Sequence, residues 1–206
     1  MRKPKSSVVL VAACLVTTLV AGCPKKQPIH PDPGPGPGPG PIARRPAGPA
    51  YPAPPMAKRR TVTIDALAYV KGKPVGVMHP ARITVGPNPE SEPNVAISGD
   101  LSGGLGGSWR AGVWMAAYQA SSSVGRELTD YEFSARGYGL IDGPSASALF
   151  TAAMMAAMMG LPIRREFTMT GTVNPDGTVG PVGGIPNKFL AAIQKGKKIL
   201  GYPVGQ

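Results

Sequence analysis

The chain has 206 residues, a formal charge of +11 and a pI of about 10.0, with 28 glycines and 25 prolines but only two cysteines and two histidines. The charge is lopsided: +9 of it lies before residue 61, so the remainder is near neutral and lacks the concentrated basic face that nucleic-acid binding requires. Cys14 and Cys23 both precede the part that can fold, and His30 and His79 are the only histidines, which excludes a disulfide, a thiolate metal site and a histidine-rich metal centre there; no metal or cofactor is expected.

Residues 1–5 are basic, residues 6–19 are apolar with a few hydroxyls, and Val20-Ala21-Gly22-Cys23 follows. That three-part order reads as an export signal over residues 1–22, removed on export and too short for a comfortable bilayer span. Val20-Ala21-Gly22-Cys23 resembles a bacterial lipobox, which implies that Cys23 becomes the lipidated first residue of an exported, membrane-anchored envelope protein. An ordinary secretory signal cut near Ala21, with Cys23 incidental, is the alternative. Residues 23–60 are dominated by proline and include strict Pro-Gly alternation over residues 33–41. Such a run loses half its backbone donors and offers no apolar face, so a disordered tether is predicted, reaching on the order of 100 Å if extended. A ligand for a proline-recognition module is the other reading of that run.

The folded domain is predicted over residues 61–206. Residues 61–70 begin with alternating apolar and polar side chains and are broken by Gly72-Lys73-Pro74; residues 75–78 and 81–85 continue in the same manner, and residues 94–98 add a fourth strand. Gly103-Gly104-Leu105-Gly106-Gly107 reads as a flexible turn, since no Lys-Ser or Lys-Thr follows to make a phosphate loop. Ser108 is then placed to cap a helix with Trp109, Val113, Ala116, Ala117 and Ala120 on its apolar face. Residues 131–135 read as a strand with Glu132 facing solvent. Residues 144–159 carry no charge and are apolar all round, which predicts a core helix. Residues 166–172 read as a strand, residues 174–177 as a tight turn, residues 178–180 as a short return strand, and the final helix starts at Gly183-Gly184-Ile185-Pro186. The alternation of strands and helices gives an α/β or α+β domain.

Asp142-Gly143-Pro144-Ser145-Ala146-Ser147 places Ser145 where a strand enters that core helix, with Asp142 in a capping position and Pro144 preset for the first turn. Backbone N–H groups at such a start suit an oxyanion. A serine hydroxyl needs a base, and a Ser-His-Asp triad would have to use His79. Lys188 is the best candidate, because apolar walls lower a lysine's pKa toward neutrality and make its free amine available. Plainer readings stand beside this one: Ser145 as a capping hydroxyl only, and Lys188 as a surface lysine in a basic helix with Lys195, Lys197 and Lys198.

Residues 142–147, and the run from Met169-Thr170-Gly171 through Gly183-Gly184 to Lys188 and on to Tyr202-Pro203-Val204-Gly205-Gln206, resemble the Lon-type (S16) peptidase domain. From about Thr61 onward the chain looks most like the free-standing exported forms without a fused ATPase. The resemblance implies a Lon proteolytic domain-like fold in which Ser145 is the nucleophile, Lys188 the general base, Thr170 orients the lysine and Asp142 shapes the serine turn. It further implies an endopeptidase acting on unfolded or flexible polypeptides through an acyl-enzyme, and a hexameric homo-oligomer. Two residues depart from the family pattern: Ser147 replaces a usual glycine, and Asn187 replaces a usual acid before the lysine. The family domain also continues past the Pro-Val-Gly-Gln position, which implies either truncation after Gln206 or an incomplete domain. The rival readings are a catalytically inactive envelope lipoprotein that keeps the fold to bind peptides or act as a scaffold, and a degraded gene product.

Overall fold

Period-two alternation builds one four-stranded sheet from β1 (Arg60–Tyr69), β2 (Gly76–Pro87), β3 (Asn94–Gly99) and β4 (Tyr131–Gly137), in the order β1-β2-β4-β3. The computed structural model describes residues 55–70, 72–101 and 104–206; the expected signal peptide, Cys23 and most of the expected tether lie outside the described residues. β2 runs antiparallel to both β1 and β4, and β3 runs parallel to β4. Ile64 and Ala66 of β1, Ala81, Ile83 and Val85 of β2, and Tyr131, Phe133 and Ala135 of β4 turn to one buried face. Thr61, Thr63, Arg82, Glu132, Ser134 and Arg136 turn to the other, which is the face left to water. The two strands expected at residues 75–78 and 81–85 are one, passing through Pro80. β4 pairs with β2 only from Ala81 onward, so the missing proline donor falls where β2 has a single partner.

Two helices cover the buried face. α1 (Gly107–Ser123) buries Trp109, Val113, Ala116, Ala117 and Ala120, the stripe expected from sequence. α2 (Ser147–Met159) is buried among them through Leu149, Phe150, Ala153, Met154, Ala157 and Met158, and ends at Gly160, whose φ of 70° gives the left-handed turn that stops a helix. Trp109 meets Phe150 edge to face at 5.3 Å. Each such fully buried large side chain contributes roughly 1.5–3 kcal/mol. The core also takes in Met56, from residues read as tether, and Arg60 donates to the carbonyls of Ala157 and Met158 at 3.0 and 2.9 Å, satisfying the otherwise open end of α2.

The strand expected over residues 166–172 divides in two. β5 (Phe167–Met169) pairs in parallel with β8 (Ile199–Gly201), and β6 (Thr172–Val173) pairs antiparallel with β7 (Val179–Gly180). The break falls at Thr170 and Gly171, whose N–H groups donate to Gly201 and to Ser145 respectively. α3 (Ile185–Gln194) follows Gly184, whose φ is 71°. Its first turn abuts the start of β2 so closely that a Cβ on Gly76 would lie 1.9 Å from the carbonyl oxygen of Asn187. Among the described residues no helix is long and apolar enough to cross a membrane.

Candidate active site

Three segments far apart in sequence meet beside the N-terminal end of α2. The first is the serine turn. Gly143, with φ of 98°, reverses the chain after Asp142, and the Ser147 N–H donates to the Pro144 carbonyl at 2.9 Å, so Ser145 sits in a turn and α2 begins only at Ser147. Asp142 therefore does not cap the helix that follows it. Its Oδ1 accepts from the N–H groups of Ser108 and Trp109, at 3.1 and 3.2 Å, in the first turn of α1. Ser108, expected to cap α1, lies inside that turn, and the N-cap position is Gly106 with no side-chain cap of its own. The physical reason is geometric: a Cβ on Gly106 would lie 2.2 Å from the Asp142 carboxyl, so only glycine lets the carboxylate reach the helix end. Backbone hydrogen bonds from Gly143, Trp109 and Ser108 hold that carboxyl below the usual carboxylate range. The glycine-rich stretch read as a mere turn thus ties α1 to the serine segment, helped by the Gly106 N–H to Ile141 carbonyl bond at 2.9 Å.

The second segment is the link between β5 and β6. Gly171 donates to the Ser145 carbonyl at 2.7 Å, and Thr170 Oγ1 donates to the same carbonyl at 3.1 Å. The Ser147 hydroxyl, fully buried, accepts from the Val173 N–H at 2.8 Å, so the residue that departs from the family pattern fastens α2 to β6.

The third segment is the first turn of α3, which delivers Lys188. The lysine is 1% exposed, and its Nζ lies 2.9 Å from Ser145 Oγ and 3.0 Å from Thr170 Oγ1. Thr170 Oγ1 has its proton committed to the Ser145 carbonyl, so it meets the amine with a lone pair and fixes one N–H direction. No carboxylate pairs with Lys188 among the described residues, and burial pushes its pKa down from 10.5 to about 8. The reading of Lys188 as a surface residue is overturned: Lys195 and Lys198 are exposed on that side, whereas Lys197 is itself mostly buried and pairs with Asp65 at 2.7 Å. The Tyr69 ring, 5.8 Å from Nζ, closes the lysine from the β1 side.

These groups open into a cavity of about 530 Å³ with Ala68 and Tyr69 on one wall, Pro181, Val182 and Gly183 on another, and Ser145 and Lys188 between them. His79 does not line it. A second groove, of about 440 Å³, crosses the water-facing side of the sheet beside Arg82 and Ser134 and shares no residue with the Ser145 site. Among the described residues no group of three or more His, Cys, Asp or Glu side chains is arranged to hold a metal ion. The structure brings Ser145, Lys188 and Thr170 into direct contact and places Asp142 behind them as a tie to α1. Tyr69, Val182 and Gly106 were not singled out as site residues, because an aromatic at a strand end and a valine or glycine in a turn carry no chemical signature in sequence.

Comparison with known proteins is concentrated on this part of the chain. Residues 137–203 match the family model of the Lon protease (S16) C-terminal proteolytic domain. The chain is 40% identical over 62 residues to the Lon protease of Elusimicrobium minutum, covering 30% of this chain and 8% of that protein. It is 43% identical over 60 residues to the Lon protease of Brucella suis, covering 29% and 7%, and 49% identical over 55 residues to Lon protease 2 of Bdellovibrio bacteriovorus, covering 27% and 7%. The match thus spans less than a tenth of the length of these curated relatives.

Proposed function

We propose, from the premise that residues 137–203 belong to the Lon (S16) proteolytic-domain family, that this chain is a serine endopeptidase working through a Ser145–Lys188 dyad on unfolded or flexible polypeptides. The observation that carries the reading is the 2.9 Å contact between Ser145 Oγ and an amine that is buried and has no carboxylate partner among the described residues. With no carboxylate to hold it charged, Lys188 is in part a free amine at neutral pH and accepts the serine proton as Oγ attacks the scissile carbonyl. Negative charge then develops on the carbonyl oxygen beside the main-chain N–H groups of the serine turn. The lysine ammonium returns the proton to the leaving amine as the C–N bond breaks, and the same amine next deprotonates the water that releases the acyl group. Thr170 orients Nζ, and Asp142 holds the turn that carries the nucleophile.

The proposal includes place as well as chemistry: export under residues 1–22 and attachment to an envelope membrane by a lipid on Cys23. The catalytic part is tested by assaying the full chain on casein or a fluorogenic peptide beside Ser145→Ala and Lys188→Ala. Each variant is expected to lose at least about a thousandfold in kcat/KM. Equal background hydrolysis in all three proteins would assign the chain instead to non-catalytic peptide binding or scaffolding.

A further inference from the structure

β7 ends at Gly180, the last residue paired with β6, and Pro181, which has no N–H, closes the ladder. The next residue, Val182, lies on the rim of the cavity that holds Ser145 and Lys188, outside every strand. Both of its main-chain polar groups are nevertheless engaged. Its N–H donates to Gln206 Oε1 at 2.8 Å, and its carbonyl accepts from Gln206 Nε2 at 2.9 Å. A carboxamide that gives one acceptor and one donor to the N–H and C=O of a single residue imitates what an extended chain gives to its antiparallel neighbour.

We infer that the main chain of Val182 is a docking point for the backbone of an extended polypeptide, and that Gln206 occupies it as an internal competitor. The inference rests on the endopeptidase reading for the class of ligand. It deepens that reading in one respect: a site that grips the peptide group itself takes any sequence, while the cavity walls sort the side chains. A chain seated on Val182 runs along the rim that also carries Ser145, opposite Ala68 and Tyr69 at the end of β1. Among the described residues β1 is an edge strand of its sheet, so the far wall too is bounded by main chain without a strand partner on that side.

The competition is possible to win because both Gln206 bonds are solvent-exposed. Exposed bonds exchange with water at little net cost, so an incoming backbone making the same pair, plus contacts of its own in the cavity, displaces the side chain. A purely structural role for Gln206 makes the opposite demand. If the carboxamide only kept residues 181–183 in shape, its loss would loosen the rim and weaken every ligand. The sign of the effect therefore separates the two roles.

The experiment uses the full chain carrying Gln206→Ala or Gln206→Glu, the latter lacking the donor that the Val182 carbonyl needs. For a fluorogenic peptide, KM is expected to fall about three- to tenfold in both variants, the range that one or two weak hydrogen bonds supply. The same substitutions in a Ser145→Ala background, titrated with a labelled peptide by fluorescence anisotropy, are expected to tighten Kd by a similar factor. Unchanged or weaker KM and Kd overturn the inference even where hydrolysis depends on Ser145. Tighter Kd sustains it even where hydrolysis proves independent of Ser145, so the docking point and the endopeptidase reading fail separately.

Discussion

Lys188 costs the fold stability at neutral pH, and that cost is what suits it to the proposed role of base. A folded-state pKa near 8 against 10.5 in the unfolded chain corresponds to about 3 kcal/mol of disfavoured charge. The Tyr69 ring 5.8 Å away works against this, since an aromatic face favours a cation, but by only about 0.5–2 kcal/mol, so burial prevails. The shift raises the uncharged fraction at pH 7 from roughly three in ten thousand to about one in ten. Hydrolysis should therefore climb with pH along a single limb and level off above about pH 8, and a kcat/KM profile checks it; a limb centred near 10 would mean that the amine is not desolvated in solution. Stability follows the same group. Between pH 8 and 10.5 the unfolded chain still holds this proton and the folded one has released it, so the urea midpoint should rise with pH across that window and then stop rising on this account.

At the scale of elements, structure is legible in the sequence where pattern and packing agree. The sheet strands, the charge-free α2 and the apolar stripe of α1 follow from periodicity, because a buried face imposes its period on the side chains that fill it. The meeting of Ser145, Lys188 and Thr170 follows from the resemblance rather than from spacing: Ser145 and Lys188 are 43 positions apart, and nothing local brings them together. The helix that Asp142 caps was misplaced for a related reason. A carboxylate followed by Gly-Pro looks like the cap of the next helix, yet Asp142 caps a helix that starts more than thirty residues earlier, and only the absence of a side chain at Gly106 permits it. The short strand β8 could not be read either, since three residues are too few to show a period, and for the same reason nothing in residues 166–172 marks the break between β5 and β6. This tie between α1 and the serine turn predicts a coupling. Asp142→Ala should cost about 0.5–2 kcal/mol, as the loss of a helix cap does, and lower activity by freeing the turn. Gly106→Ala, which expels the same carboxylate, should do the same, and the double variant should cost little more than either alone. Urea unfolding of the three proteins checks it, and full additivity would mean that the two residues act independently.

At the scale of the whole molecule, the charge asymmetry bears on the proposed attachment to a membrane surface. Lys25 and Lys26 follow Cys23 after a single proline, Pro24, and Arg44, Arg45 and Lys58 extend the basic character toward the domain. Arg59 and Arg60 are partly engaged by the fold, through Glu132 and the α2 carbonyls. Each free cation near an anionic leaflet adds about 1 kcal/mol of attraction, a contribution that salt removes, whereas buried acyl chains add about 0.8 kcal/mol per methylene regardless of salt. The two contributions can be separated by washing membranes. In a bacterial host supplied with labelled palmitate, the wild-type chain should carry label and stay with the membrane fraction through a molar-salt wash. Cys23→Ala should carry none, and what remains on the membrane once the leader is cut should leave in that wash. Label persisting in Cys23→Ala, or a wild-type chain that never acquires it, would remove Cys23 as the anchor and leave the basic segment to provide whatever membrane affinity the chain has.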